Sequence, residues 1–230
     1  MRIVVYTAIT QGYDTLKEPP PTWRRAANFV AFMEDPGSAA TTWEFRPICR
    51  EFGDPCRNAK IHKILSHEYF PEADYSLWID GTINILSTLP LAEWPEQYLK
   101  NHDLAVFKHC AQNCAYKEAK LCMMGHLDDP VVIERQMQRY FEQGYPMNNG
   151  LAECSVLFRR HTPQIKKLNE CWWEEIRNHS RRDQLSFNFV AYQLGVTYFQ
   201  LPGQLKFKGR AGGNPHFQKS RHTAHHSQPR

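Results

Sequence analysis

Ser76-Leu77-Trp78-Ile79-Asp80-Gly81-Thr82-Ile83-Asn84 is the stretch on which the reading of this chain turns. A short, mostly apolar run of strand length ends on an acid, and the following glycine lets backbone pass close to a neighbour. Apolar residues on both sides of Asp80 set its carboxylate in a cleft, where packing alone explains it poorly. A solvated turn acid is the plainer reading. A metal ion or a sugar hydroxyl is the natural partner for the buried one.

Outward from that strand, period and breakers predict an alternation of elements. Residues 2–9 form a buried strand that stops at Thr10-Gln11-Gly12, and Pro19-Pro20-Pro21 enforces a loop before a second strand at 28–33, which runs into Glu34-Asp35-Pro36-Gly37. A third short strand is predicted from Trp43 to Pro47. Helical spacing from Asn58 to Tyr69 puts Lys60 and Lys63 one turn apart, until Pro71 ends the helix. After Asp80 come Ile83–Leu86, a strand at Leu104–Phe107, a helix from about Asp129 to Gln143, and a strand at Ser155–Arg159. Helices at Pro163–Asn178 and Asp183–Leu194 and a strand at Thr197–Leu201 complete the pattern.

Strands alternating with helices make the chain α/β, with one domain over 1–205 whose mixed central sheet is flanked by helices. Residues 206–230 read as a basic, Gly/His-rich tail able to close over a bound ligand. Open α/β sheets bind ligands beyond the carboxyl ends of their strands, so the polar clusters after residues 9, 35, 79 and 107 mark the expected cleft.

Composition bounds the function classes. The 230 residues are 42% hydrophobic and no apolar run approaches the ~20 residues of a membrane span, so a soluble globular domain is expected. Net charge is +4, from 28 basic and 24 acidic residues. From Lys206 onward there are six basic residues, four histidines and no acid, so the body is nearly neutral. That balance does not indicate a nucleic-acid binder, although the tail is able to touch phosphates. The chain opens on strand-like Arg2-Ile3-Val4-Val5-Tyr6 rather than on a leader, and its seven cysteines read as mostly buried thiols of a reducing, cytoplasmic compartment. His109, Cys110, Cys114 and Cys122 lack the paired-knuckle spacing of a zinc site. P-loop, dinucleotide and nucleophile-elbow glycine motifs are absent.

Three further features carry chemistry. Arg181-Arg182-Asp183-Gln184 begins a helix with two cations suited to anions and an amide suited to hydroxyls, beyond the plain reading of a helix cap. Arg57, Lys60 and Lys63 lie ahead of the Asp80 strand, where they are solvated lysines or reach a diphosphate. His216, Lys219 and Arg221 follow the flexible Gly212-Gly213, in a segment able to fold over a nucleotide.

Tyr6-Thr7-Ala8-Ile9 with Gly12-Tyr13-Asp14, Lys63-Ile64-Leu65 with His67, Trp78-Ile79-Asp80-Gly81, Tyr116 with Glu118-Ala119, and Arg182-Asp183-Gln184-Leu185-Ser186-Phe187 together resemble a known family. It is the glycosyltransferase-like domain that includes plant proteins of mucilage synthesis and turgor regulation, and the likeness spans about residues 1–200. The resemblance implies a GT-A-like, nucleotide-sugar-dependent glycosyltransferase related in layout to glycosyltransferase family 8.

Several roles follow from the resemblance alone. Asp80 would hold Mn²⁺ or Mg²⁺ on the donor diphosphate, aided by Thr82 or Asn84 and by His216, although the second acid of the family 8 Asp-x-Asp is missing. Tyr6, Thr7, Ala8, Asp14 and Asp35 are the expected nucleoside pocket. Lys60, Lys63, Gly81, Asn149, Gly150, Arg182 and Lys219 complete the donor site, and Asp183 and Gln184 orient the transferred sugar. The expected partners are a nucleotide sugar, with UDP favoured, and a hydroxyl acceptor on a glycan, lipid-linked precursor, protein or modified DNA. Competing readings are an idle nucleotide- or sugar-binding protein and a lipid or glycan hydrolase.

Overall fold

The computed structural model describes residues 1–35, 41–205 and 213–223. In chain order the elements are β1 (Ile3–Ile9), β2 (Asn28–Met33), β3 (Glu44–Pro47), α1 (Pro55–Ile64), α2 (Ser66–Tyr69), β4 (Tyr75–Ile79), β5 (Ile83–Ile85) and α3 (Trp94–Tyr98). They continue with β6 (Leu104–Lys108), α4 (Ala115–Met124), α5 (Pro130–Glu142), β7 (Ala152–Arg160), α6 (Pro163–Asn178), α7 (Asp183–Gln193), β8 (Phe199–Gln200) and β9 (Phe217–Lys219). Seven strands make one sheet in the order β3-β2-β1-β4-β7-β6-β8, and β5 pairs with β9 in a small second sheet.

Within the large sheet only β7 is antiparallel to its neighbours β4 and β6. The sheet is therefore mixed and Rossmann-like, as expected. All of β1 and the first eight residues of β7 are buried, and β1 accordingly reads as a near-continuous rather than an alternating hydrophobic run. Alternate side chains feed two cores. Val4, Tyr6 and Trp78 face α1, α6 and α7, while Val5, Leu77 and Phe158 face Trp23, Trp94 and Phe217. Trp94 is fully buried, with its ring edge-on to Trp23, Phe158 and Phe217. Truncating such a ring costs roughly 3–5 kcal/mol.

Three helices start by one local device. Asp54, Asp129 and Thr162 each accept a backbone N–H from the first turn, with proline just inside at Pro55, Pro130 and Pro163. The same signal explains why α1 begins at Pro55, ahead of the Asn58 read from periodicity. A turn at Leu65 then divides α1 from α2. The expected strand at 155–159 begins earlier, at Ala152, and the expected Thr197–Leu201 strand shortens to Phe199–Gln200. Residues 206–212 and 224–230 of the expected tail, and Pro36-Gly37, lie outside the described residues.

This topology positions the site. Parallel β1 and β4 pair Tyr6 with Trp78, and antiparallel β6 and β7 pair Lys108 with Ala152. The ends of β1, β4 and β6 and the start of β7 thus open at one edge of the sheet.

Candidate functional site

At that edge α1 lays two lysines against two carboxylates. Lys63 Nζ lies 2.6 Å from Asp183 Oδ2 and 3.1 Å from Asp80 Oδ1, and Lys60 Nζ lies 3.0 Å from Asp183 Oδ1. The Trp78 indole N–H donates to Asp80 Oδ1 at 2.6 Å. Lys63 and Asp183 side chains are 4% and 8% exposed, whereas Asp80 is 35% exposed and turns its other oxygen outward. Burial opposes the charge on Lys63, but Asp183 and Asp80 outweigh it and hold the ammonium above its ordinary range. Burial likewise opposes ionised Asp183, yet Lys60, Lys63 and Arg182 keep it well below the usual carboxylate range. Arg182, at the head of α7, has a buried Nε with no hydrogen-bond partner. Three cations around two carboxylates leave the cluster net positive.

Two polar networks fix these groups. The Arg57 guanidinium donates to Ile176 O at 3.0 Å and His179 O at 2.8 Å, and Asp128 accepts from Ser180 Oγ at 2.7 Å and Arg181 N at 2.8 Å. Residues 179–182 are thereby held from two sides. Beneath them Arg159, 1% exposed, donates to Lys63 O, Ile64 O at 3.1 Å, Asn169 Oδ1 at 3.0 Å and the Tyr6 hydroxyl. A cation at the carbonyl end of α1 suits the helix dipole and holds the turn that carries Lys63.

Loops build the other flank of Asp80. A Cβ on Gly81 would stand 2.8 Å from Asp14 Cβ and 2.9 Å from Asp14 Oδ2, so only glycine lets Asp14 approach. The Lys17 ammonium donates to Gly81 O. His222 Nδ1 lies 3.1 Å from both Asp14 oxygens, its ring packs on Tyr13, and Ser220 bonds Thr82 O through N–H and Oγ–H at 2.8 Å. Past Ile9 a cavity of about 280 Å³ is lined by Ile9, Gln11, Gly12, Met33, Glu34 and Asp35.

The third wall is the start of β7. Asn148 and Gly150 adopt left-handed conformations (φ +58° and +83°), and Asn188 of α7 receives Ala152 N–H at 2.8 Å while donating to Tyr198 OH at 2.7 Å. Glu153 accepts from Ser155 Oγ at 2.5 Å, with His109 Nε2 at 3.8 Å and Lys219 Nζ at 3.7 Å.

The structure thus brings together Lys60, Lys63, Asp80, Gly81, Asp14, Arg182 and Asp183, with half-exposed Gln184 beside Asp183. Asn149 lies in the exposed turn before β7 and Lys219 against Glu153. Asp35 lines the cavity past β1. Tyr6, Thr7 and Ala8 correct the expectation of a pocket within β1. All three are buried inside the strand, and the open end lies beyond Ile9. His216 is a second correction. Its ring nitrogens both engage the protein, Ser87 Oγ at 2.9 Å and Tyr98 OH at 2.5 Å, with its ring beside Trp94, rather than standing free toward Asp80. Thr82 is buried and holds Ser220 through its carbonyl.

Among the described residues no three His, Cys, Asp or Glu side chains lie together as a metal cage, so Cys110, exposed, and Cys114 and Cys122, buried, form no such group with His109. Around Asp80 the residues fit only a Mn²⁺ or Mg²⁺ that arrives on a ligand's phosphates, met by the outer oxygen of Asp80. Sequence reasoning misses Glu153, Lys17 and His222, and weighs His109 only as a zinc ligand. Glu153 gives a signal only once the strand is extended back to Ala152, as a carboxylate within a buried strand.

Residues 48–205 match the model of the TOD1/MUCI70, glycosyltransferase-like domain. The chain belongs to this family. Among curated proteins it is 27% identical over 216 residues to the probable hexosyltransferase MUCI70 of Arabidopsis thaliana, covering 82% of this chain and 37% of that protein. It is 26% identical over 149 residues to the alkaline ceramidase TOD1 of the same plant, covering 60% of this chain and 32% of that protein. The chain thus spans about a third of the length of each relative. Among the described residues no helix is long and apolar enough to cross a membrane.

Proposed function

We propose that this domain transfers a hexosyl group from a nucleotide sugar, with a UDP-sugar favoured, to a hydroxyl acceptor. The observation that carries the reading is the set of Lys60, Lys63 and Arg182 closed around Asp183 and Asp80 at the carboxyl edge of the sheet, in a chain of a glycosyltransferase-like family. The nucleoside occupies the cavity beyond Ile9, bounded by Glu34 and Asp35. Its diphosphate lies toward Arg182 and the two lysines, whose fixed charges stabilise the departing nucleoside diphosphate without reorganisation. A Mn²⁺ or Mg²⁺ ion carried in on the diphosphate, against Asp80, would supply further neutralising charge. Asp183, locked by both lysines, and Gln184 beside it accept and donate hydrogen bonds to the sugar hydroxyls and set the anomeric carbon.

The relative named a ceramidase keeps a hydrolase as the second reading. Ser155 does not favour it, because its hydroxyl meets a carboxylate rather than an imidazole, so no Ser-His relay is formed there. Thermal stability against UDP, GDP, CDP and ADP, each with Mn²⁺ or EDTA, tests the proposal. A ligand at 100 times its Kd that binds only the folded state adds about 2.7 kcal/mol. Stabilisation by one nucleotide is expected, its EDTA arm reporting the metal, and no shift with any of the four contradicts the reading.

A further inference from the structure

Glu153 is a carboxylate 9% exposed near the start of β7, a strand whose first eight residues are buried. Its one close hydrogen bond is from Ser155 Oγ, 2.5 Å from Oε1. His109 Nε2 stands 3.8 Å from Oε2 and Lys219 Nζ 3.7 Å from Oε1, both past hydrogen-bond reach. The other carboxylate oxygen, Oε2, has no close donor and is not sealed from solvent, so it is open to a hydroxyl arriving from the cleft. The imidazole beside it is oriented. Backbone N–H groups of Gln112 and Ala111 point at His109 Nδ1, at 2.9 and 3.4 Å, so Nδ1 is the bare acceptor and Nε2 carries its proton toward Glu153. The end of β6, the start of β7 and β9 each contribute one of the three groups. Asp80 N–H donates to Ser155 O at 2.9 Å, which ties the Glu153 segment directly to the charged site.

We propose that Glu153, His109 and Lys219 form the subsite for the acceptor hydroxyl, with Glu153 taking its proton. The inference rests on the glycosyl-transfer reading. A hydroxyl between Glu153 and His109 donates to Oε2 and accepts from Nε2–H, filling a gap too wide for a direct bond. As its oxygen forms the new bond to the anomeric carbon, the bond from that carbon to the diphosphate oxygen breaks. The electron pair of that bond leaves on the nucleoside diphosphate, and the hydroxyl proton passes to Glu153. Lys219 steadies the carboxylate from the other oxygen.

Glu153→Gln tests this, because it keeps the shape and an acceptor for Ser155 but cannot take the proton. The assay uses whichever nucleoside diphosphate stabilises the wild type, with its hexose conjugates as donors and water and methyl hexosides as acceptors. Release of nucleoside diphosphate is expected to fall about a hundredfold or more, while the nucleotide-induced thermal shift stays as in the wild type. His109→Gln is expected to raise KM for the hydroxyl acceptor more than it lowers kcat. If Glu153→Gln does not fold, Glu153→Asp, which keeps the charge and shortens the reach, is expected to lose turnover at an unchanged shift. Release within threefold of wild type in a folded Glu153 variant overturns the subsite. So does a wild type that binds nucleotide yet releases none from any donor. A wild type with no shift from any nucleoside diphosphate instead sinks the parent reading.

Discussion

Asp80 separates two flanks built on different physical terms. On the helical side, Lys60, Lys63 and Asp183 are almost wholly buried and paired within 3.1 Å, with residues 179–182 held from α1 and from the α4–α5 loop. On the loop side, Asp14, Lys17 and His222 stand on irregular backbone. The His222 ring is 45% exposed, and the covering segment is held by the short β5–β9 pairing and two bonds from Ser220. Charge on the first flank is fixed before any ligand arrives. On the second, Asp14 is only 8% exposed but its partner His222 is far more open, so water competes for that contact. Under the proposed glycosyl transfer this difference divides the labour, with leaving-group and sugar geometry set by the rigid flank and coverage of the donor by the soft one.

Lys63→Met strikes the rigid flank hardest, because it leaves Asp183 and Asp80 without their shared cation. Breaking one partner of a buried pair costs about 3–5 kcal/mol. A urea midpoint shifted by that much is expected, and a loss below about 1 kcal/mol would put these pairs in the class of surface ion pairs and erase the contrast. Arg159→Met comes next. It strips donors from the Lys63 and Ile64 carbonyls and Asn169, with about 2–3 kcal/mol expected from the stranded acceptors, again read by denaturation.

A pH series sharpens the comparison from a different direction. Burial lowers His62 to about 3 and His161 to about 4, so both stay neutral in the fold while the unfolded chain's imidazoles gain protons below about pH 6.5. Their contribution is therefore complete above that pH and is lost as pH falls toward 4 and 3. Asp183, depressed in the fold, adds a further loss only below about pH 4. Melting temperature should fall steadily from pH 6.5 to 4. In His62→Gln, whose amide oxygen still accepts from Cys49 N–H, the fall should be shallower. A parallel slope in the variant would remove His62 from the account. The smallest effect is expected on the soft flank, where His222→Ala should cost under about 1 kcal/mol of stability, as exposed ion pairs do. It should weaken nucleotide binding several-fold by calorimetry, and equal affinity would show that this segment covers nothing.

The sequence made the two flanks unequally legible. Asp80 at a strand end, two lysines one helical turn apart and Asp183 at a helix start are local patterns, and each points at the cleft once the strand order is α/β. What periodicity could not give is which distant groups meet. Asp14 reaches Gly81 across 67 residues of chain, and His222 cannot be told by residue type from His216, which the fold seals against Tyr98 and Trp94. Glu153 is hidden because the apolar signal starts only at Ser155, three residues after the strand itself, which leaves the acid in an apparent loop. Tyr6 was misplaced for the opposite reason. Its motif sits beside the strand end in sequence, while its side chain points into the core under the site.

Release of nucleoside diphosphate from its hexose conjugates by wild type and Asp183→Asn, run beside the nucleotide-induced thermal shift of each, is the most direct test of a preorganised glycosyl-transfer site. Turnover in the wild type, lost about a hundredfold or more in Asp183→Asn with the shift retained, is the expected result. Equal release by both proteins, or a wild type stabilised by no nucleotide, would contradict it.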